Sequence, residues 1–165
     1  MNEIAALFRR VSHGLYVIGG AHNERHDAFT AAWVMQASFS PLLLVLSIDP
    51  RHASYPLVKA SGAFTVNVLK QGQLELARRF GTQSGREHDK LAGVRWRPGR
   101  SGAPVLDDAL AYFDCEVTER HPSGDHELVL GRVVDGRIID PKAVPMLYAE
   151  TGDMDGSSAL YRPRV

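Results

Sequence analysis

Leu42-Leu43-Leu44-Val45-Leu46-Ser47-Ile48 is apolar but for one serine and is bounded by Pro41 and, after Asp49, by Pro50. A run this short suits a β-strand buried on both faces better than a helix. Downstream, Ala63-Phe64-Thr65-Val66-Asn67-Val68-Leu69 alternates and is rich in β-formers, which predicts a second strand. Upstream, Leu15–Ile18 and the apolar residues from Ala28 flank the polar stretch His22-Asn23-Glu24-Arg25-His26-Asp27, the pattern of a hairpin. Strands are also predicted over 109–118 and 126–134, with a tight turn at Asp135-Gly136 leading into Arg137–Ile139. Helical signals sit at the margins. Ile4, Leu7, Phe8 and Val11 recur at helical spacing. Ser54 can cap a short helix that stops at Gly62, with Pro56 in its first turn. Leu74, Leu76, Ala77 and Phe80 predict another helix, closed by Gly81. The stretch 81–103 reads as a polar surface excursion and the chain from Gly152 as a polar tail. Six or seven strands without strict β–α alternation predict a mainly β antiparallel barrel or sandwich, in one domain over 1–165.

Composition narrows the function classes. Nineteen Lys+Arg balance nineteen Asp+Glu among 165 residues, so the surplus of positive charge that nucleic acid or an anionic membrane surface demands is missing. At this length about two-thirds of the unfolded surface can be buried, and the core needs no disulfide or metal staple. Cys115 is the single cysteine, which excludes an intrachain disulfide and permits a reducing compartment. With no long apolar segment and no signal-peptide core, the expectation is a cytoplasmic protein that does not span a membrane.

Several motifs carry little. In His22-Asn23-Glu24-Arg25-His26 the glutamate is one place too late for a zinc-protease helix, and the segment falls where a turn is predicted. Asp153-Met154-Asp155-Gly156 begins like a calcium loop but lacks its closing glutamate. No metal site is expected. Cys115 lies in an apolar strand, where a buried inert thiol is the favoured account and a Cys–His nucleophile the alternative. More informative is Ser47-Ile48-Asp49-Pro50-Arg51-His52-Ala53-Ser54, which sets an arginine and hydroxyls beside a predicted helix start. Free N–H groups and a guanidinium suit a phosphate, although a capped helix beside an exposed arginine has the same residues.

Six blocks in order change that balance. They are Thr30-Ala31-Ala32, Ser47-Ile48-Asp49-Pro50, Gly62–Leu69, Leu76-Ala77-Arg78-Arg79-Phe80, Gly102-Ala103-Pro104-Val105-Leu106 and Gly124–Val133. Over about residues 8–150 the chain resembles the flavin reductase-like family of FMN-binding split barrels. The version Ala32-Trp33-Val34-Met35-Gln36-Ala37-Ser38 is most similar to the flavin reductase domains fused to diiron flavoproteins. The resemblance implies a six-stranded antiparallel Greek-key split β-barrel with short peripheral helices, a homodimer, and a flavin near the subunit interface. It implies FMN, with FAD as the alternative flavin, and NADH or NADPH as hydride donor. Reduced flavin would pass to a partner oxygenase or other redox protein.

By position, Thr30, Ala31, Ala32, Trp33 and Gln36 match the strand that lines the flavin, and Ser47, Ile48 and Asp49 the segment beside the ring and ribityl chain. Arg51 and Ser54 match the phosphate end, Asn67 a neighbouring block, and His126 a position associated with the nicotinamide donor. His126 would donate to the nicotinamide amide or sit over its ring, or else is an edge histidine bonded to Asp125 or solvent. No catalytic side chain is assigned, because hydride transfer belongs to the flavin. The family often carries two hydroxyls where this chain has Ala32 and Trp33, so Trp33 either substitutes aromatic contact or is core. That change motivates a rival reading, a non-enzymatic FMN electron carrier. A third is a haem- or ligand-binding split barrel without flavin.

Overall fold

A two-residue turn sets the first pairing. Asn23 and Glu24 take φ of 47° and 64°, the left-handed turn that matches strand twist, and join β1 (Tyr16–His22) to β2 (Arg25–Ala31). The computed structural model describes residues 3–162. Its other strands are β3 (Val34–Phe39), β4 (Leu42–Ile48), β5 (Ala63–Val68), β6 (Trp96–Pro98), β7 (Pro104–Leu106), β8 (Ala111–Ser123) and β9 (His126–Ile138). Helices α1 (Glu3–Phe8), α2 (Tyr55–Ser61) and α3 (Leu74–Thr82) lie between or before them. The fold is mainly β and antiparallel throughout, as expected. No helix among the described residues is long and apolar enough to cross a membrane.

The strand count differs from the six-stranded expectation. The main sheet has seven strands in the order β2-β1-β5-β8-β9-β4-β3, and β6 pairs with β7 apart from it. This sheet is not closed by a ladder. Its two edges, β2 and β3, are joined in sequence by Ala32 and Trp33 alone, so they converge at that corner without pairing.

Burial also shifts. In β4 only Leu44, Leu46 and Ile48 are buried and Leu42 is exposed, so it is buried on one face, not both. The doubly buried strand is β5, where Ala63 through Asn67 are all inside. It lies deep in the sheet, and its two faces border separate apolar clusters. One gathers Ile18, Phe29, Leu46, Phe64 and Val129 within the curve of the sheet. The other packs Val17, Leu69 and Leu106 against Ala77 and Phe80 of α3. Gly131 is needed in the first cluster, because a Cβ there would stand 2.7 Å from Phe64 Cζ and 2.8 Å from Cys115 Cβ. Asn67 joins the two regions, donating to Val17 O at 3.0 Å and Pro104 O at 3.2 Å and accepting from Leu106 N at 2.8 Å.

Three local expectations fail for identifiable reasons. Asp135-Gly136 is not a turn but the interior of β9, opposite Asp114 and Phe113; the turn is at Gly124-Asp125, where Gly124 has φ 64°. The N-terminal helical spacing does not carry a helix to Val11: α1 ends at Phe8, buries Ala5, and leaves Leu7, Phe8 and Val11 exposed. Gly81 lies inside α3 rather than ending it, and the 81–103 excursion supplies buried Lys90 and Leu91 as well as β6. By contrast α2 stops as predicted, with Gly62 at φ 65° donating its N–H to Val58 O.

Candidate flavin site

The corner where the sheet's edges meet opens into a cleft of about 800 Å³. Thr30, Ala31, Ala32 and Trp33 reach it from the end of β2, and Ser47, Ile48, Asp49 and Arg51 from the end of β4. His126 joins them from the start of β9, because the β8–β9 turn brings it beside β4. The Trp33 and His126 rings lie 4.9 Å apart at 48°, a tilted aromatic pair, with Trp33 44% exposed. Nine of the twelve expected positions therefore share one cleft.

Three do not. Asn67 is fully buried and its amide is committed to the core contacts above. Ser54 is fully buried too, and its hydroxyl donates to Asp27 Oδ2 at 2.7 Å instead of capping α2. Gln36 sits on the edge strand β3, its amide donating to Ser38 O at 3.4 Å, outside the cleft lining.

The polar groups that do face the cleft are in defined states. Thr30 Oγ1 spends its proton on Ala77 O at 2.7 Å, which ties β2 to α3 and leaves the oxygen an acceptor. Ser47 Oγ has no hydrogen-bond partner among the described residues, while its N–H donates to Trp33 O at 3.0 Å. Arg51 forks onto Asp49, Nε to Oδ1 at 3.0 Å and Nη2 to Oδ2 at 2.6 Å. That guanidinium holds the Asp49 carboxyl down to about 2. With a folded value below the ordinary one, the pair's contribution is present above the ordinary carboxylate range and is lost as pH falls through about 2. Asp125 Oδ1 meets His126 Nδ1 at 2.7 Å. Burial pushes the pKa of both His13 and His52 down, which favours neutral imidazoles where they line the cleft.

Sequence reading missed much of the remaining lining. His52, whose ring lies 4.4 Å from that of Phe29, belongs to a segment already singled out. Phe8, Arg9, Tyr148 and the 154–162 region come from the two chain ends, and no local signal joins those ends. Cys115 is buried, its thiol pushed up to about 12 by burial, an inert core residue.

The family model described as "Flavin reductase like domain" matches residues 8–157, and the chain belongs to that family. It is 35% identical over 144 residues to the Flavin-dependent monooxygenase, reductase subunit HsaB, of Mycobacterium tuberculosis, a match covering 87% of this chain and 75% of that protein. It is 36% identical over 140 residues to Putative diflavin flavoprotein A 3 of Nostoc, covering 84% of this chain and 24% of the other. The chain thus spans about a quarter of the length of the diflavin flavoproteins it matches. Among solved structures, the NADH:FAD oxidoreductase SgcE6 of Streptomyces globisporus superposes with a TM-score of 0.81 at 27% identity, covering 88% of this chain and 86% of that one.

Proposed function

We propose that this protein is a cytoplasmic flavin reductase that takes hydride from NADH or NADPH onto FMN and passes the reduced flavin to a partner oxygenase. The observation that carries the reading is the cleft at the open corner of the sheet. There, aromatic faces, hydroxyl oxygens and a guanidinium line one space. The donor set fits a planar, phosphorylated ligand: Trp33 and His126 for ring contact, Thr30 and Ser47 for polar edges, Arg51 for phosphate. A bound flavin supplies the two-electron acceptor, and the chain's part is to bind, orient and keep water away. FAD is the alternative flavin, which the name of the Streptomyces relative supports.

We assign His126, which lines the cleft, to the nicotinamide donor. An ionised Asp125 can only accept, so it takes the Nδ1–H, and the tautomer this selects presents Nε2 as an acceptor. His126 would then accept from a nicotinamide amide N–H rather than donate to it. Asp49 keeps Arg51 Nε and one Nη2 donor occupied, leaving the Nη1 donors and the other Nη2 donor for phosphate oxygens. Support for an oxygenase partner comes from the name of the mycobacterial relative, a monooxygenase reductase subunit.

The direct test is steady-state oxidation of NADH and of NADPH by purified protein with added FMN. Turnover with one donor is expected, and none with either defeats the reading. Similarity to a quarter of the diflavin flavoproteins favours a second reading, an FMN electron relay. In that case bound flavin would stay oxidised with NAD(P)H and be reduced by a protein partner.

We also propose a homodimer through the β3–β4 edge. Phe39, 85% exposed, and Met35, 63% exposed, lie on the edge strand β3 with its unpaired outer backbone, and Leu42, 54% exposed, pairs with Phe39 from β4. Phe39→Glu is expected to weaken self-association by roughly tenfold or more in sedimentation velocity. An unchanged dimer would show that another face is used.

A further inference from the structure

The outer lining of the cleft is built from the two ends of the chain, and polar links hold it in place. Arg9 Nη2 donates to Asp153 Oδ1 at 3.1 Å, tying the residues after α1 to the C-terminal segment. Asp153 also accepts from Ser158 N at 3.1 Å, so one carboxylate folds the segment back on itself and fastens it to the N-terminal end. The Phe8 and Tyr161 rings stack 5.3 Å apart at 24° across the same join. Tyr148 Oη bonds both Asp155 Oδ2 at 3.0 Å and Ser157 Oγ at 2.8 Å. Met154 Cε comes within 3.4 Å of where a Gly81 Cβ would be, so the segment also rests on α3 beside Thr30.

These links are mostly at the surface. Leu160 is 78% exposed, Phe8 51% exposed, and none of residues 152–162 is buried. A segment held by a few surface contacts opens at far lower cost than the strands beneath it. Yet Met154, Asp155, Ser157, Ser158, Leu160 and Tyr161 all line the cleft. Whatever enters or leaves on that side must pass them.

We propose that residues 153–162 form a flavin-retention segment, latched by Arg9 and Asp153, whose opening sets how fast bound flavin leaves the cleft. The inference rests on the flavin reading above and adds the element that decides between keeping the flavin and handing it on. An intact latch slows release, and a partner that engages either chain end would hasten it.

The experiment is rapid dilution of the FMN-loaded protein, following recovery of flavin fluorescence, for the wild type, Asp153→Asn and Arg9→Gln. Each variant should release FMN roughly threefold to tenfold faster, as loss of a partly exposed ion pair and its hydrogen bonds allows. The double variant should add little to Asp153→Asn, because that substitution already breaks the link to Arg9. Melting curves taken alongside should stay within a few degrees of wild type. As a measurement independent of any variant, amide exchange at Ser157 and Ser158 in the wild type should slow when FMN is added. Equal release rates in all proteins, or additive effects of the two substitutions, overturn the latch while leaving flavin binding intact. Failure of the wild type to quench FMN at all overturns the flavin reading and the latch with it.

Discussion

Asp27→Ala is expected to cost the fold about 3–5 kcal/mol, because it strands a buried charge. Lys90 has a side chain only 1% exposed, and its ammonium lies 3.6 Å from Asp27 Oδ1. Burial pushes the Lys90 pKa down, and Asp27 is the nearby carboxylate that opposes the shift. The same carboxylate accepts from Ser54 Oγ at 2.7 Å at the head of α2, so the pair joins β2, α2 and the loop before β6. Close approach is built in: a Cβ on Gly85 would collide with the Asp27 carboxylate. Without Asp27 the native state can keep Lys90 charged only by leaving that charge unpaired. Urea denaturation measures the loss, and Lys90→Met added to Asp27→Ala should restore most of it. A loss below about 1 kcal/mol would show that water already shares the pair. The sign with pH follows from the lowered pKa. The unfolded chain holds the lysine proton more tightly than the native one, so stability should rise with pH as the ordinary lysine value is approached.

Arg51→Ala is expected to weaken FMN binding by roughly tenfold to a hundredfold, the worth of charge-assisted bonds to a phosphate. Riboflavin, which lacks the phosphate, should bind wild type and variant alike. The contrast matters because Arg51 also orients Asp49, whose carboxylate lies within the same cleft. If Arg51 acts only by bracing that loop, both ligands weaken together. If it grips phosphate through the donors Asp49 leaves free, only FMN does. Titrating protein into each flavin and following fluorescence separates the two.

Much of this architecture can be read from residue order, and the exceptions share a cause. The hairpin at Asn23-Glu24 and the stop of α2 at Gly62 rest on local backbone demands, which one residue can announce. Whether a strand is covered on one face or two depends on its place in the sheet. That is why the sequence of β4 reads as doubly buried and that of β5, with polar Thr65 and Asn67 inside, does not. Asp135-Gly136 has the composition of a turn, but the ladder of β8 holds it extended.

The site divides the same way. Trp33, Ser47, Arg51 and His126 line one cleft, and the motif order in the sequence already groups them. Ser54 and Asn67 lie outside the cleft because their polar side chains are used in the interior, by Asp27 and by backbone carbonyls. The chain-end lining could not be seen at all, since nothing near Arg9 in sequence marks Asp153 as its partner.

If the corner between β2 and β3 holds a flavin, titration of FMN with the purified protein will show it. Saturable quenching of flavin fluorescence at one flavin per chain, reduced by Arg51→Ala, is the expected result. Emission that stays unquenched by excess protein, for FMN and FAD alike, would mean that the cleft holds no flavin.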